Sequence, residues 1–133
     1  MKFFLKIFTI IGLAFILSSC AHKSESVETP TGFIPQSLTD ADIKEAIIRA
    51  CGEYNWVIEQ KTDGLIRARQ TTKKYFATVD IKYNKDTYSV NLVDASGMLY
   101  NKSNNEIHGH YNFWARNLAR EIDKQFKIKL SLK

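Results

Sequence analysis

Glu106, His108 and His110 are the residues whose types and spacing come nearest to a reactive site. In an extended segment residues i and i+2 point to the same side, so His108 and His110, with Glu106 nearby, can aim two imidazoles at one ion. A small enzyme or metal-binding protein using the segment from Glu106 to His110 is therefore the alternative reading. Against it, the spacing matches no zinc signature and supplies no third ligand. The simpler role for His108 is packing or hydrogen bonding in the loop, while His110 or Asn112 satisfies the first amide groups of a following helix. The carboxylates Asp80, Asp86, Asp94 and Glu106 are expected on the wet face of a sheet or in turns, and Ser89 and Ser96 have no base visible nearby. Gly-x-Ser-x-Gly, His-Glu-x-x-His, phosphate-loop and dinucleotide fingerprints are all missing from the sequence. The expectation is a non-catalytic protein with no metal and no cofactor.

A second kind of chemistry is electrostatic. Lys61, Arg67, Arg69, Lys73, Lys74, Lys82 and Lys85 fall within 25 residues that hold only two acids, Asp63 and Asp80. Strand periodicity puts Arg67 and Arg69 on one face, and Lys82 joins them in a suitable register. These three are the candidate binding surface, suited to anionic lipid headgroups, lipopolysaccharide phosphates or an acidic envelope protein. A solvated sheet face is the plainer alternative. The familiar basic-aromatic nucleic-acid motifs are missing, so no nucleic-acid partner is expected.

The N-terminus bears on where such a surface would work. Lys2 and Lys6 precede or interrupt an apolar run that ends at Leu17, followed by Ser18-Ser19-Cys20. This is the pattern of a secretion signal. As a helix the 15 residues from Phe3 to Leu17 would be about 22 Å long, short of a hydrocarbon core of about 30 Å. Leu17-Ser18-Ser19-Cys20 resembles the bacterial lipoprotein signal, an aliphatic residue and two small residues before a cysteine. The resemblance implies cleavage before Cys20, a diacylglyceryl thioether on it (with palmitate-type acylation) and anchoring to the membrane. Ala21, where an aspartate would retain the protein, implies the outer membrane, facing the periplasm. Cys20 so modified leaves Cys51 without an intramolecular partner, and Cys51 lies on an apolar helical stripe where it reads as a small buried hydrophobe.

The elements that must position these groups follow from periodicity. Residues 1–19 are read as signal peptide, 20–36 as lipid anchor and flexible linker containing both prolines, and 37–133 as a small α+β domain. Thr39 caps a helix whose stripe is Ile43, Ala46, Ile47, Ala50 and Cys51, closed by Gly52. Period-2 alternation marks strands at Trp56–Lys61, Leu65–Gln70, Tyr75–Tyr83 and Thr87–Val93, joined by short turns. A polar loop from Asp94 to Gly109 leads to a helix with Tyr111, Trp114, Ala115, Leu118, Ile122 and Phe126 on one side. The alternation of Ile128, Leu130 and Leu132 reads as a fifth, C-terminal edge strand or an extended amphipathic arm. The expected architecture is a two-layer, four-stranded antiparallel meander with both helices on one face, in the order α-β-β-β-β-α.

Ile47 to Trp56, Val79-Asp80-Ile81-Lys82-Tyr83, and Ile107-His108 with Tyr111-Asn112 and Trp114 together resemble a group of small uncharacterised bacterial envelope lipoproteins. Glu53-Tyr54-Asn55 and Gly97-Met98-Leu99 depart from that pattern. The resemblance implies architecture and address and carries no chemistry. Composition agrees with a packed domain: of 133 residues 44% are hydrophobic and 25% charged, at a net charge of +5. Removing the leader takes Lys2 and Lys6 from the 19 basic residues, leaving 17 against 14 acids.

Overall fold

The computed structural model describes residues 24–133; the expected signal peptide and the expected acylation site at Cys20 lie outside the described residues. The order of elements is β1 (Ser24–Ser26), β2 (Thr31–Phe33), α1 (Asp40–Glu53), β3 (Val57–Thr62), β4 (Leu65–Thr71), β5 (Phe76–Tyr83), β6 (Thr87–Ser96), β7 (Glu106–His108) and α2 (Gly109–Ser131). The fold is α+β. Strands β3 to β6 form the expected antiparallel meander, and β2 adds to β6, so the sheet reads β2-β6-β5-β4-β3.

One face of this sheet is apolar because alternate residues of adjacent strands register together. Ile66 pairs with Ile81, Ala68 with Val79, and Ile81 with Val90, and all five are buried with the inward residues of both helices. Both helices cover that face. Tyr88 reaches from β6 to α2, where its hydroxyl donates to Asp123 Oδ1 at 2.7 Å and lies 3.0 Å from the Ala119 carbonyl oxygen.

Helix α1 starts in a capping box. The Asp42 amide donates to Thr39 Oγ1 and the Thr39 amide to Asp42 Oδ2, both at 3.1 Å. The expected stripe is buried, but Gly52 does not end the helix. Asn55 takes the left-handed conformation (φ 61°), and the Trp56 amide donates back to the Cys51 carbonyl at 2.9 Å. That 6→1 bond is a Schellman closure made with asparagine.

Two expectations are corrected. The tail from Lys127 is not an edge strand: α2 continues to Ser131. Lys129 Nζ lies 2.7 Å from Glu45 Oε2 and Lys133 Nζ 2.8 Å from Asp42 Oδ2. These two pairs tie the end of α2 and the residue beyond its cap to the first turns of α1. The fifth strand is instead N-terminal. From Ser24 to Gln36 the chain is not a flexible linker but a strap built into the domain. Strand β1 pairs with β7, Ser24 opposite His108, and β2 pairs with β6. Val27 donates to the Asn105 carbonyl, Ile34 to Asp86, and Val90 to Pro30, at 2.8 to 2.9 Å. Ile34 and Leu38 are buried in the core.

Candidate functional site

Arg67, Arg69 and Lys82 do share the outer face of the sheet. Arg67 stands opposite Asp80, Arg69 opposite Thr78, and Lys82 opposite Leu65. Their charges are not equally available. Arg67 grips Asp80 with two parallel bonds, Nε to Oδ1 at 2.7 Å and Nη2 to Oδ2 at 2.9 Å, the two-pronged geometry that suits guanidinium and carboxylate planes. The Asp80 carboxylate beside it holds the Arg67 guanidinium charged even more firmly than usual. Asp80 itself is 7% exposed, which corrects the expectation of a solvated carboxylate: cross-strand neighbours lie over it. Arg69 donates from Nε to Thr78 Oγ1 at 3.2 Å, lies 3.3 Å from Glu59 Oε1, and stacks with its guanidinium carbon 4.2 Å from the Phe76 ring centre. Lys82 is exposed. Phe33 and Val57, 86% and 68% exposed, flank this charged strip from the two outermost strands.

The histidines lie elsewhere. His108 caps α2, its Nδ1 accepting the His110 amide at 3.1 Å. This satisfies one of the helix's initial donors, the task expected of His110 or Asn112, which falls instead to His108 itself. The two rings stack with centres 5.2 Å apart and planes 16° from parallel. Glu106 Oε2 accepts from Asn104 Nδ2, and among the described residues no group of three His, Cys, Asp or Glu side chains is placed to hold a metal ion. Asn112, which is buried, fastens the strap. Its Oδ1 accepts the Glu28 amide at 2.9 Å, and its Nδ2 donates to the Ser26 carbonyl at 2.9 Å and to Glu25 Oε2 at 3.2 Å.

Beside the histidines is a cleft of about 470 Å³ lined by Lys74, Tyr75, Met98, Leu99, His108 and His110, with Gly97 in its wall. Gly97 (φ 74°) lets the loop after β6 press on the turn before β5; a Cβ there would stand 2.6 Å from the Lys74 carbonyl oxygen. Tyr75 continues the ring stack, 6.4 Å from His110 and 5.7 Å from Trp114, which in turn meets Trp56 edge-on at 6.2 Å. Reading by residue type missed Lys74, Tyr75, Met98 and Leu99. The signal was the apolar pair Met98-Leu99 inside a polar loop. Cys51 is buried in the helix-packed core, and burial pushes its thiol up to about 12. That is the environment of an inert thiol. No family model matches this chain, and no curated protein matches it.

Proposed function

We propose that this chain is a lipid-anchored protein of the bacterial cell envelope, acylated on Cys20, whose α+β domain acts as a non-catalytic binding or assembly module facing the periplasm, with the outer membrane as its site. The observation that carries this reading is the order of the N-terminal segments: a basic start, a short apolar run, Leu17-Ser18-Ser19-Cys20, and then a folded domain. Two or three acyl chains on Cys20 would anchor stably where one would hold only marginally. The outer sheet face is the protein-contact surface in this reading, a strip made of the braced Arg67 and Arg69 and the exposed Lys82, bordered by exposed Phe33 and Val57. Apolar anchors beside oriented charges suit a protein partner better than a purely electrostatic one.

Metabolic labelling with a fatty-acid precursor tests the anchor: the wild-type chain takes up label and Cys20→Ser does not. Label retained by Cys20→Ser contradicts the reading. For the contact surface, Lys82→Glu with Phe33→Ser is the informative variant, because reversing Arg67 would leave Asp80 facing a like charge and disturb the fold. Cross-linking of the anchored protein in its native envelope should lose its partner bands in that variant.

A further inference from the structure

The strap changes where the domain can stand. Had residues 22–36 been a flexible linker, the domain could extend up to about 50 Å from its anchor. Its first strand instead begins at Ser24, and the four residues beyond Cys20 span at most about 14 Å. A headgroup layer accounts for about 5–8 Å of bilayer thickness on each side. The folded part therefore rests on the lipid surface, and the end that carries Ser24 must be the end that meets it. This step rests on the acylation of Cys20 proposed above.

Ser24 lies opposite His108, beside the cleft of Lys74, Tyr75, Met98, Leu99, His108 and His110. We infer that this end of the molecule, comprising β1, β7, the 97–105 loop, the 72–75 turn and the start of α2, is a membrane-facing surface whose cleft receives anionic lipid headgroups.

Three features besides tether length argue for that occupant. No carboxylate is among the residues lining the cleft, whereas Lys74 is, with Lys73 exposed next to it. The nearest carboxylate on β1, Glu25, is turned to Gly109 and to Asn112 Nδ2. Exposed apolar side chains border the cleft: Leu99 is 56% exposed although its backbone holds the left-handed conformation (φ 54°), and Phe113, three residues along α2 from His110, is 52% exposed. A bulky exposed leucine at positive φ costs energy without serving the core, and insertion among lipid headgroups would repay it. Tyr75 and Trp114, ring against ring, are of the amphipathic type that settles at membrane interfaces. The opposite end of β5, with Asp63, Asn84 and Lys85, lies one eight-residue strand away, about 26 Å.

The test uses the full acylated chain in vesicles of phosphatidylethanolamine and phosphatidylglycerol containing shallow spin-labelled lipid. Single cysteines at Leu99→Cys, Phe113→Cys or Lys85→Cys carry a fluorophore, Cys51 being buried and unreactive. Quenching is expected at positions 99 and 113 and not at 85. It should rise with the phosphatidylglycerol fraction, and Lys74→Glu should remove most of that rise. Equal quenching at both ends, or stronger quenching at 85, overturns the orientation. A response at 99 and 113 indifferent to phosphatidylglycerol overturns the headgroup assignment. Intact-mass analysis separates the two levels: an acylated chain with unquenched labels sinks this inference alone, whereas a chain without acyl groups on Cys20 sinks the anchoring reading and this inference with it.

Discussion

Arg67 on the outer sheet face and Lys74 at the rim of the histidine cleft carry the same charge in the same basic stretch of sequence, yet their surroundings differ completely. Arg67 is bonded twice to a nearly buried aspartate, and its neighbour Arg69 is shared among Glu59, Thr78 and Phe76. Lys74 is exposed in a turn, on a cleft lined by no carboxylate. The first pair is braced by the sheet's own side chains while still facing outward, whereas the lysine meets no carboxylate within its cleft. A count of basic residues cannot separate the two. The cross-strand register does, because it decides which carboxylate each cation meets.

The largest test of that contrast is Arg67→Ala. It strands the Asp80 carboxylate, whose side chain is 10% exposed, and is expected to cost about 2–3 kcal/mol in urea unfolding. Adding Asp80→Ala should recover part of the loss, showing pair coupling. Next comes Asn112→Ala, expected to cost about 2 kcal/mol because two strap backbone groups lose their partner. Its signature is local: the Val27 and Glu28 amides should exchange much faster while those of β5 change little.

A third test concerns the core that both regions share. An unfolded cysteine ionises at about pH 8.5, whereas burial holds the folded Cys51 thiol up to about 12. Between those values the unfolded chain has lost a proton that the folded chain keeps. The stabilisation is thus full only below about pH 8.5 and falls by about 1.4 kcal/mol per pH unit above it. Burial also pushes the Tyr88 and Tyr111 hydroxyls up, steepening the decline in the same direction. Cys51→Ala should flatten the first part of the decline in urea titrations at about pH 8 to 10. The smallest effect is expected from Lys74→Ala, within about 0.5 kcal/mol of wild type by the same method. A loss as large as that of Arg67→Ala would erase the contrast.

How far the sequence spoke depends on element length. Helix α1 and strands β3 to β6 were legible because a single period repeats along each of them, so the apolar face is over-determined. β1 and β2 have three residues each, too few to show alternation, and their pairing is imposed by β7, β6 and Asn112 from far along the chain. The C-terminal tail misled for a related reason. Ile128, Leu130 and Leu132 alternate like a strand but remain at least a third exposed; the segment continues the helix whose buried Ile122 and Phe126 dock it in the core, and Lys129 and Lys133 pair with α1 at its end. At the candidate surface, strand periodicity placed Arg67 and Arg69 on one face, but the register that brings Lys82 to it, and the pairing of Asp80 with Arg67, appear only in the folded sheet. The cleft was hidden because its lining comes from a turn, a loop and a helix start that meet only in three dimensions.

The central claim is that residues 24–36 belong to the fold. Residue-resolved hydrogen exchange on the chain reads it directly. The amides of Val27, Ile34 and Val90, which donate to Asn105, Asp86 and Pro30, should be protected nearly as well as those inside β5. Exchange of Val27 and Ile34 at the rate of an unstructured peptide would contradict it and return the segment to the role of a flexible tether.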